Sequence, residues 1–187
     1  MEPFEYVAVL VSLILGIGIT QLLTGLANLI HRYDHVTFYA PHVIWIILVF
    51  GFHLQEWWIN YEYSQVIKEW RLSSFFLMIT YPIVLFIMAR MLFPSSITKG
   101  KVDLKKFYFK NHRKFFLVGL FLPLISIPQN VLLSGLGIEE QFVQMFVALI
   151  LLLGALANSK NQLIHYFIAI ITFVLGMGYM FIYDPVL

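Results

Sequence analysis

The sequence predicts an all-α, polytopic membrane protein: a six-transmembrane-helix bundle. Only 12% of its 187 residues are charged and 60% are hydrophobic, whereas ordinary soluble domains carry about 25% charged residues. Six stretches contain no Asp, Glu, Lys or Arg, and each reaches or approaches the roughly 20 residues that a helix needs to cross a bilayer. Because these stretches are continuously apolar and do not alternate, they favour helices over transmembrane strands.

The predicted spans follow the charge-free stretches within a single integral membrane domain, residues 1–187. Their expected boundaries are residues 4–30, 40–63, 73–93, 115–137, 141–158 and 162–183. A basic loop, residues 94–114, separates the third span from the fourth. Almost nothing is left for a soluble domain, so the function is expected in or against the bilayer.

The distribution of charge predicts how the helices are oriented. The basic loop holds seven Lys or Arg residues and a single acid, Asp103. By the positive-inside rule this loop faces the cytoplasm, so six spans place both termini outside (N-out/C-out). The size and simplicity of the chain suggest a bacterial inner (plasma) membrane.

The basic loop is also the predicted contact with membrane lipid. Basic and aromatic residues alternate in blocks there, which favours cations on anionic headgroups and rings in the interface. We expect the headgroups to be bound by Lys105, Lys106, Lys110, Arg113 and Lys114. The same mixture occurs in nucleic-acid-binding segments, but no nucleic acid is expected next to a membrane surface.

The first span begins with Pro3 and Glu5, which are residues typical of a helix start. Polar or small side chains recur along it four residues apart: Ser12, Gly16, Thr20, Thr24 and Asn28. Such a stripe is typical of close packing between helices in lipid. The alternative is a polar lining for a pore or cavity, to which Gln21 would add an amide.

The second span begins near Pro41 and ends in an aromatic belt that includes Trp57 and Trp58. This belt predicts that Glu56 is an interfacial carboxylate. His53 lies deeper, and intramembrane ionisable groups are costly and often functional. The alternative for His53 is a neutral ring that is hydrogen-bonded to a neighbouring helix.

The third and fourth spans contain helix-breaking residues. Pro82 predicts a kink in the third span. Pro123 and Pro128 in the fourth free backbone carbonyls, and Gln129 and Asn130 follow directly. A broken helix with polar residues is typical of solute sites in transporters, although simple kinking for packing remains an alternative.

The leading hypothesis is a channel- or carrier-like protein with a polar intramembrane path. Its predicted lining is Thr20, Gln21, Thr24, Asn28, His53, Gln129 and Asn130. The alternative is a non-catalytic membrane subunit that binds partner proteins or lipids, or a homo-oligomer. Catalysis is not favoured, because a nucleophile and its base must meet and the Ser134 and His165 pair falls at opposite ends of the bundle.

No cofactor is predicted, but histidines leave a haem or metal site as a further alternative. His42 and His165 lie at similar depth on different spans, as axial haem ligands could. His31 and His35 are four residues apart, which would suit a metal ion on a helix. The chain has no cysteine, which excludes disulfides and thiolate ligands.

Overall fold

The computed structural model describes residues 3–67, 69–94 and 101–182. These residues form seven α-helices, two short 3₁₀ turns and one pair of two-residue strands. The helices are α1 (Pro3–His31), α2 (Ala40–Val66), α3 (Leu72–Met91), α4 (Leu104–Gly119), α5 (Phe121–Leu132), α6 (Phe142–Ala157) and α7 (Gln162–Ile182). The strands are β1 (Val36–Thr37) and β2 (Val102–Asp103), and the 3₁₀ turns are Tyr33–His35 and Ile138–Gln141.

Six helical segments are long and apolar enough to cross a membrane, which confirms the predicted fold class. They are α1, α2, α3, the combined α4–α5 segment Leu104–Leu132, Ile138–Ala157 and Gln162–Phe181. The chain is therefore a helical, multi-pass membrane protein. The orientation of the helices and the identity of the membrane stay predictions.

The basic segment differs from its predicted form as a loop. Helix α4 begins at Leu104, where Asp103 caps it by accepting a hydrogen bond from the backbone N–H of Lys106 at 2.9 Å. The helix buries Leu104 and Tyr108 in the core. The second half of the predicted loop is thus an extension of the fourth span, whereas residues 95–100, with Lys99, lie outside the described residues.

The interruption in the fourth span is a single residue, Leu120, between α4 and α5, and its backbone keeps right-handed helical angles (φ −59°, ψ −29°). Pro123 has no backbone N–H, so the carbonyl of Gly119 loses its helical partner and the regular ladder is interrupted there. Pro128 and Pro82 are accommodated inside α5 and α3, which continue past them.

The strand pair fixes one end of the bundle. Strands β1 and β2 are parallel, with Val36 opposite Val102 and Thr37 opposite Asp103. The connection from α1 to α2 therefore lies beside the start of α4. Both connections therefore belong to the same end of the molecule.

Helix α2 is packed closely by its neighbours at glycines. A Cβ on Gly18 of α1 would collide with the ring of His53, and a Cβ on Gly176 of α7 would lie 2.9 Å from Phe52. Gly51 of α2 itself faces Met177. The glycines allow backbones to approach closely, so α2 is held between α1 and α7 and its side chains form the centre of the bundle.

Candidate functional site: a central cavity with a buried carboxylate

A cavity of about 100 Å³, here called the central cavity, lies among α2, α3, α4, α5, α6 and α7. Its wall is aromatic and aliphatic over most of its area, with Trp45, Phe52, Tyr63, Tyr81 and Tyr179 among the lining side chains. Its polar lining residues are Gln55, Glu56, Ser126, Gln129, Asn130, Gln144 and Thr172. An apolar pocket with a few convergent polar groups is the usual form of a small-molecule site.

Glu56 is the acidic residue of this cavity, and its side chain turns into the bundle, whereas its depth at the membrane interface stays a prediction. Its side chain is inside the bundle with only 4% of its surface exposed. The amide of Asn60, one helical turn later, donates to the Glu56 backbone carbonyl at 2.7 Å and lies 3.4 Å from Oε1. Helix α2 thus turns the carboxylate inward while its neighbours Trp57 and Trp58 stay exposed to at least a third of their surface.

The charge of Glu56 has no compensating cation among the described residues. The ion pair found in them is an exposed one, between Arg71 and Glu69. The exposed guanidinium of Arg90, in the last turn of α3, instead donates to Gln21 Oε1 at 2.8 Å. An unpaired buried carboxylate costs several kcal/mol. Glu56 is therefore either protonated or neutralised by a bound cation.

The two amides predicted at the broken helix both line the central cavity. Gln129 Nε2 donates to the Leu77 carbonyl at 3.0 Å and ties α5 to α3. Asn130 Nδ2 donates to Gln141 Oε1 at 2.8 Å. These bonds hold the wall in place. Their role as ligands stays a prediction.

Two further polar groups in the wall are unsatisfied. Gln144 Oε1 and Thr172 Oγ1 are buried and have no hydrogen-bond partner within the described ranges. Buried polar atoms are nearly always paired in folded proteins. Both atoms can accept a hydrogen bond, so the cavity offers acceptors, together with Glu56, to a ligand that carries N–H or O–H groups.

The predicted polar stripe of the first span does not reach this cavity. Thr20, Thr24 and Asn28 lie on the exposed face of α1, and Thr20 Oγ1 donates to its own helix, to the Gly16 carbonyl at 2.8 Å. Gln21 is held by Arg90. The buried face of α1 consists of Val7, Val11, Leu15, Gly18, Leu22, Gly25 and Leu29. This exposed stripe could contact a partner protein, so the alternative function, a membrane subunit that binds partner proteins, stays a prediction.

His53 is fully buried but lies between α1 and α2, outside the set of residues that line the central cavity. Its Nδ1 donates to the Val49 carbonyl at 2.7 Å, and its Nε2 has no described partner. A carbonyl only accepts, so Nδ1 carries a proton, which a neutral ring provides while leaving Nε2 as an acceptor. A titrating role for His53 stays a prediction.

The predicted haem ligands meet at the end of the bundle that carries β1. The rings of His42 and His165 both pack on Tyr108, at centroid distances of 6.1 and 5.3 Å. His165 Nε2 donates to the Ser159 carbonyl at 2.7 Å and Nδ1 accepts from the Tyr108 hydroxyl at 3.0 Å. His42 Nε2 donates to the Leu92 carbonyl at 2.9 Å. These nitrogens are occupied by protein partners.

The other predicted metal ligands do not form a joint site with this cluster. His31 ends α1 and His35 ends the following 3₁₀ turn, so the helical spacing between them is broken. Across the described ranges, no three His, Asp or Glu residues come together as a metal site would need. Tyr39, just before α2, packs on Tyr108, and burial, with a smaller effect of nearby Tyr166, raises its pKa to about 12, so its phenol is neutral.

The predicted headgroup ligands lie along α4. Lys106, Lys110, Arg113 and Lys114 are exposed, and Lys105 is half-buried. The opposite face of this helix carries the buried aromatic side chains. The position is compatible with a lipid surface, and headgroup binding itself stays a prediction.

Glu56, Gln144 and Thr172 were missed as site residues because the sequence interpretation relied on depth in the membrane. A signal for Glu56 was present. Val49, Glu56 and Tyr63 are seven residues apart in sequence, and this spacing keeps side chains on one face of a helix. All three are buried.

Comparison with known proteins adds no relative: no protein-family model, curated protein or solved structure matches the chain.

Proposed function

We propose that this protein is a carrier- or channel-like membrane protein that binds a small organic cation in the central cavity. One observation supports the proposal above the rest: Glu56 is a 4%-exposed carboxylate that lines the cavity and has no Lys or Arg partner in the described part of the chain. A bound cation removes the cost of this charge, and a proton does so in its absence.

The rest of the wall favours an organic cation that carries N–H groups. Gln144 Oε1 and Thr172 Oγ1 are acceptors without partners, and a guanidinium or ammonium ion supplies donors to such atoms. Trp45, Tyr63 and Tyr81 line the same space, and aromatic rings attract cations that lie over their faces within about 6 Å of their centres. The volume of the cavity is about 100 Å³. Roughly three molecules of liquid water take up this volume.

The break between α4 and α5 favours movement of the ligand over permanent binding. Gly119 and Pro123 both line the central cavity, so the interrupted turn of helix faces the ligand. Discontinuous helices next to a solute site are typical of transporters.

Uptake of radiolabelled guanidinium into vesicles that contain the purified protein tests the function. Guanidinium is permanently charged and pairs well with carboxylates, and at low millimolar concentration it does not denature proteins. We expect saturable uptake that declines as the pH is lowered, because protons compete for Glu56. Urea, which has the same shape without the charge, should enter no faster than into protein-free vesicles. Equal rates for guanidinium in the two kinds of vesicle would refute the proposal.

A further inference from the structure

A second cavity, here called the aromatic crevice, lies between α1 and α2. Its volume is about 220 Å³. Phe4 and Val11 of α1 line one side, and Trp57, Trp58, Asn60 and Tyr61 of α2 line the other. Trp57 and Tyr61 are about half exposed, at 57% and 48%, so the crevice opens to the surface of the bundle at its aromatic end.

Asn60 connects the aromatic crevice with the central cavity. Its side chain lines the crevice and is only 5% exposed, and its Oδ1 has no hydrogen-bond partner among the described residues. Its Nδ2 donates to the backbone of Glu56, whose carboxylate lines the central cavity. One amide therefore lies between the two cavities, with an unsatisfied acceptor on a residue of the crevice wall.

We propose that the aromatic crevice is a second cation subsite, from which the ligand passes Asn60 to reach Glu56. The inference rests on the proposed function and narrows its substrate class to organic cations that carry both a delocalised or soft positive charge and N–H donors. The rings of Trp57, Trp58 and Tyr61 attract the charge. Asn60 Oδ1 accepts one N–H group, which leaves the ligand one helical turn from the carboxylate.

Because the two cavities differ in size, some ligands should pass from the aromatic crevice into the central cavity, whereas larger ones should bind only in the crevice. The crevice has about twice the volume of the central cavity, 220 against 100 Å³. Guanidinium is planar, small and rich in donors, so it fits both. Tetramethylammonium is bulkier and has no N–H group, so it binds the aromatic faces and cannot use Asn60. It should therefore block guanidinium uptake without being taken up.

The first measurement is the binding of radiolabelled tetramethylammonium to the purified protein and its inhibition of guanidinium uptake. We expect Trp57→Leu to weaken both about tenfold, and Trp57→Phe, which keeps a ring face, to retain most of the binding. Phe76→Leu is the matched control, because Phe76 is a similarly exposed ring on α3 (58%) outside the crevice. Equal affinities in the wild type, Trp57→Leu and Phe76→Leu would overturn the subsite.

The second measurement is the initial rate of guanidinium uptake in Asn60→Leu. We expect a drop of about tenfold, with Gln65→Leu as the control, because Gln65 is an exposed amide on the same helix. An unchanged uptake rate in Asn60→Leu would refute the proposal that the ligand passes Asn60 on its way to Glu56. The two proposals fail separately: tetramethylammonium should still bind Glu56→Gln, which has an intact crevice, whereas loss of uptake in that variant tests only the central cavity.

Discussion

Replacing Glu56 by Gln is expected to lower guanidinium uptake at least tenfold and to abolish its dependence on pH. The variant keeps the shape of the side chain and removes its charge. Hydrogen bonds to charged groups contribute about 1.5–3 kcal/mol, and 1.4 kcal/mol corresponds to a factor of ten. In the wild type, lowering the pH protonates the carboxylate and releases the cation. Glutamine does not titrate, so the residual uptake should be flat with pH.

The matched control for this variant is Glu62→Gln. Glu62 is on the same helix and carries the same charge, but it is partly exposed and does not line the central cavity. Its replacement should leave the rate and the pH profile unchanged. Glu56→Gln should also unfold at the same temperature as the wild type or higher, because Gln has the shape of the carboxyl group and can never carry a buried charge. Normal, pH-dependent uptake by a well-folded Glu56→Gln would show that the carboxylate has no part in it.

Adding a single methyl group at Gly18 is expected to destabilise the protein, whereas the same change at Gly16 is not. A Cβ at Gly18 would collide with the His53 ring of α2, and nothing lies within 4 Å of a Cβ at Gly16. Overpacking costs about 1–3 kcal/mol, which corresponds to a decrease of roughly 2–12 °C in melting temperature for a chain of this size. Thermal unfolding in detergent measures this difference.

A second substitution tests the cause of this destabilisation. Truncating His53 to Ala removes the ring that the new methyl group meets. The double variant Gly18→Ala/His53→Ala should therefore be more stable than the sum of the two single effects predicts, as expected for residues in contact. Identical melting temperatures for Gly16→Ala and Gly18→Ala would contradict the packing of α1 on α2.

The fold class follows from the sequence because length and apolarity decide whether a helix crosses lipid. The side to which a span turns is harder to predict, as α1 shows. In water the polar face of a helix turns outward, but in a membrane it can face a cavity, a partner or the lipid boundary. The recurrence of Thr20 and Thr24 shows that they share one face of α1. It does not show whether that face contacts a cavity, a partner or lipid. The structure buries the heptad series Leu15, Leu22 and Leu29 instead.

Glu56 illustrates a second reason why the direction of a side chain is hard to predict from the sequence. An aromatic belt indicates how far along a helix a residue lies, but not in which direction it points. Trp57 and Glu56 are adjacent in sequence and close in depth, yet one is largely exposed and the other is buried. Only the periodicity around the helix separates them. Gln129 and Asn130 were singled out from the sequence because two prolines precede them, and both line the central cavity although α5 continues past Pro128.

The start of α4 shows the effect of local charge on the prediction. The lysines after Leu104 suggested a loop, although Asp103 is a good helix cap and Tyr108 and Phe115 follow on one face, seven residues apart. An amphipathic helix accommodates both features, with cations on the exposed face and rings in the core. Charge density therefore does not show where the helix begins, and the membrane boundary that it predicts stays a prediction.

Chemical labelling of carboxylates tests most directly whether Glu56 lies in a ligand cavity inside the bundle. Dicyclohexylcarbodiimide is apolar and reacts with protonated carboxyl groups, and mass spectrometry of the digested protein locates the adduct. We expect the adduct at Glu56, with its formation suppressed by guanidinium, while a water-soluble carbodiimide modifies the exposed Glu69 and leaves Glu56 intact. Modification of Glu56 by the water-soluble reagent as fast as Glu69, without protection by guanidinium, would contradict a buried cation site.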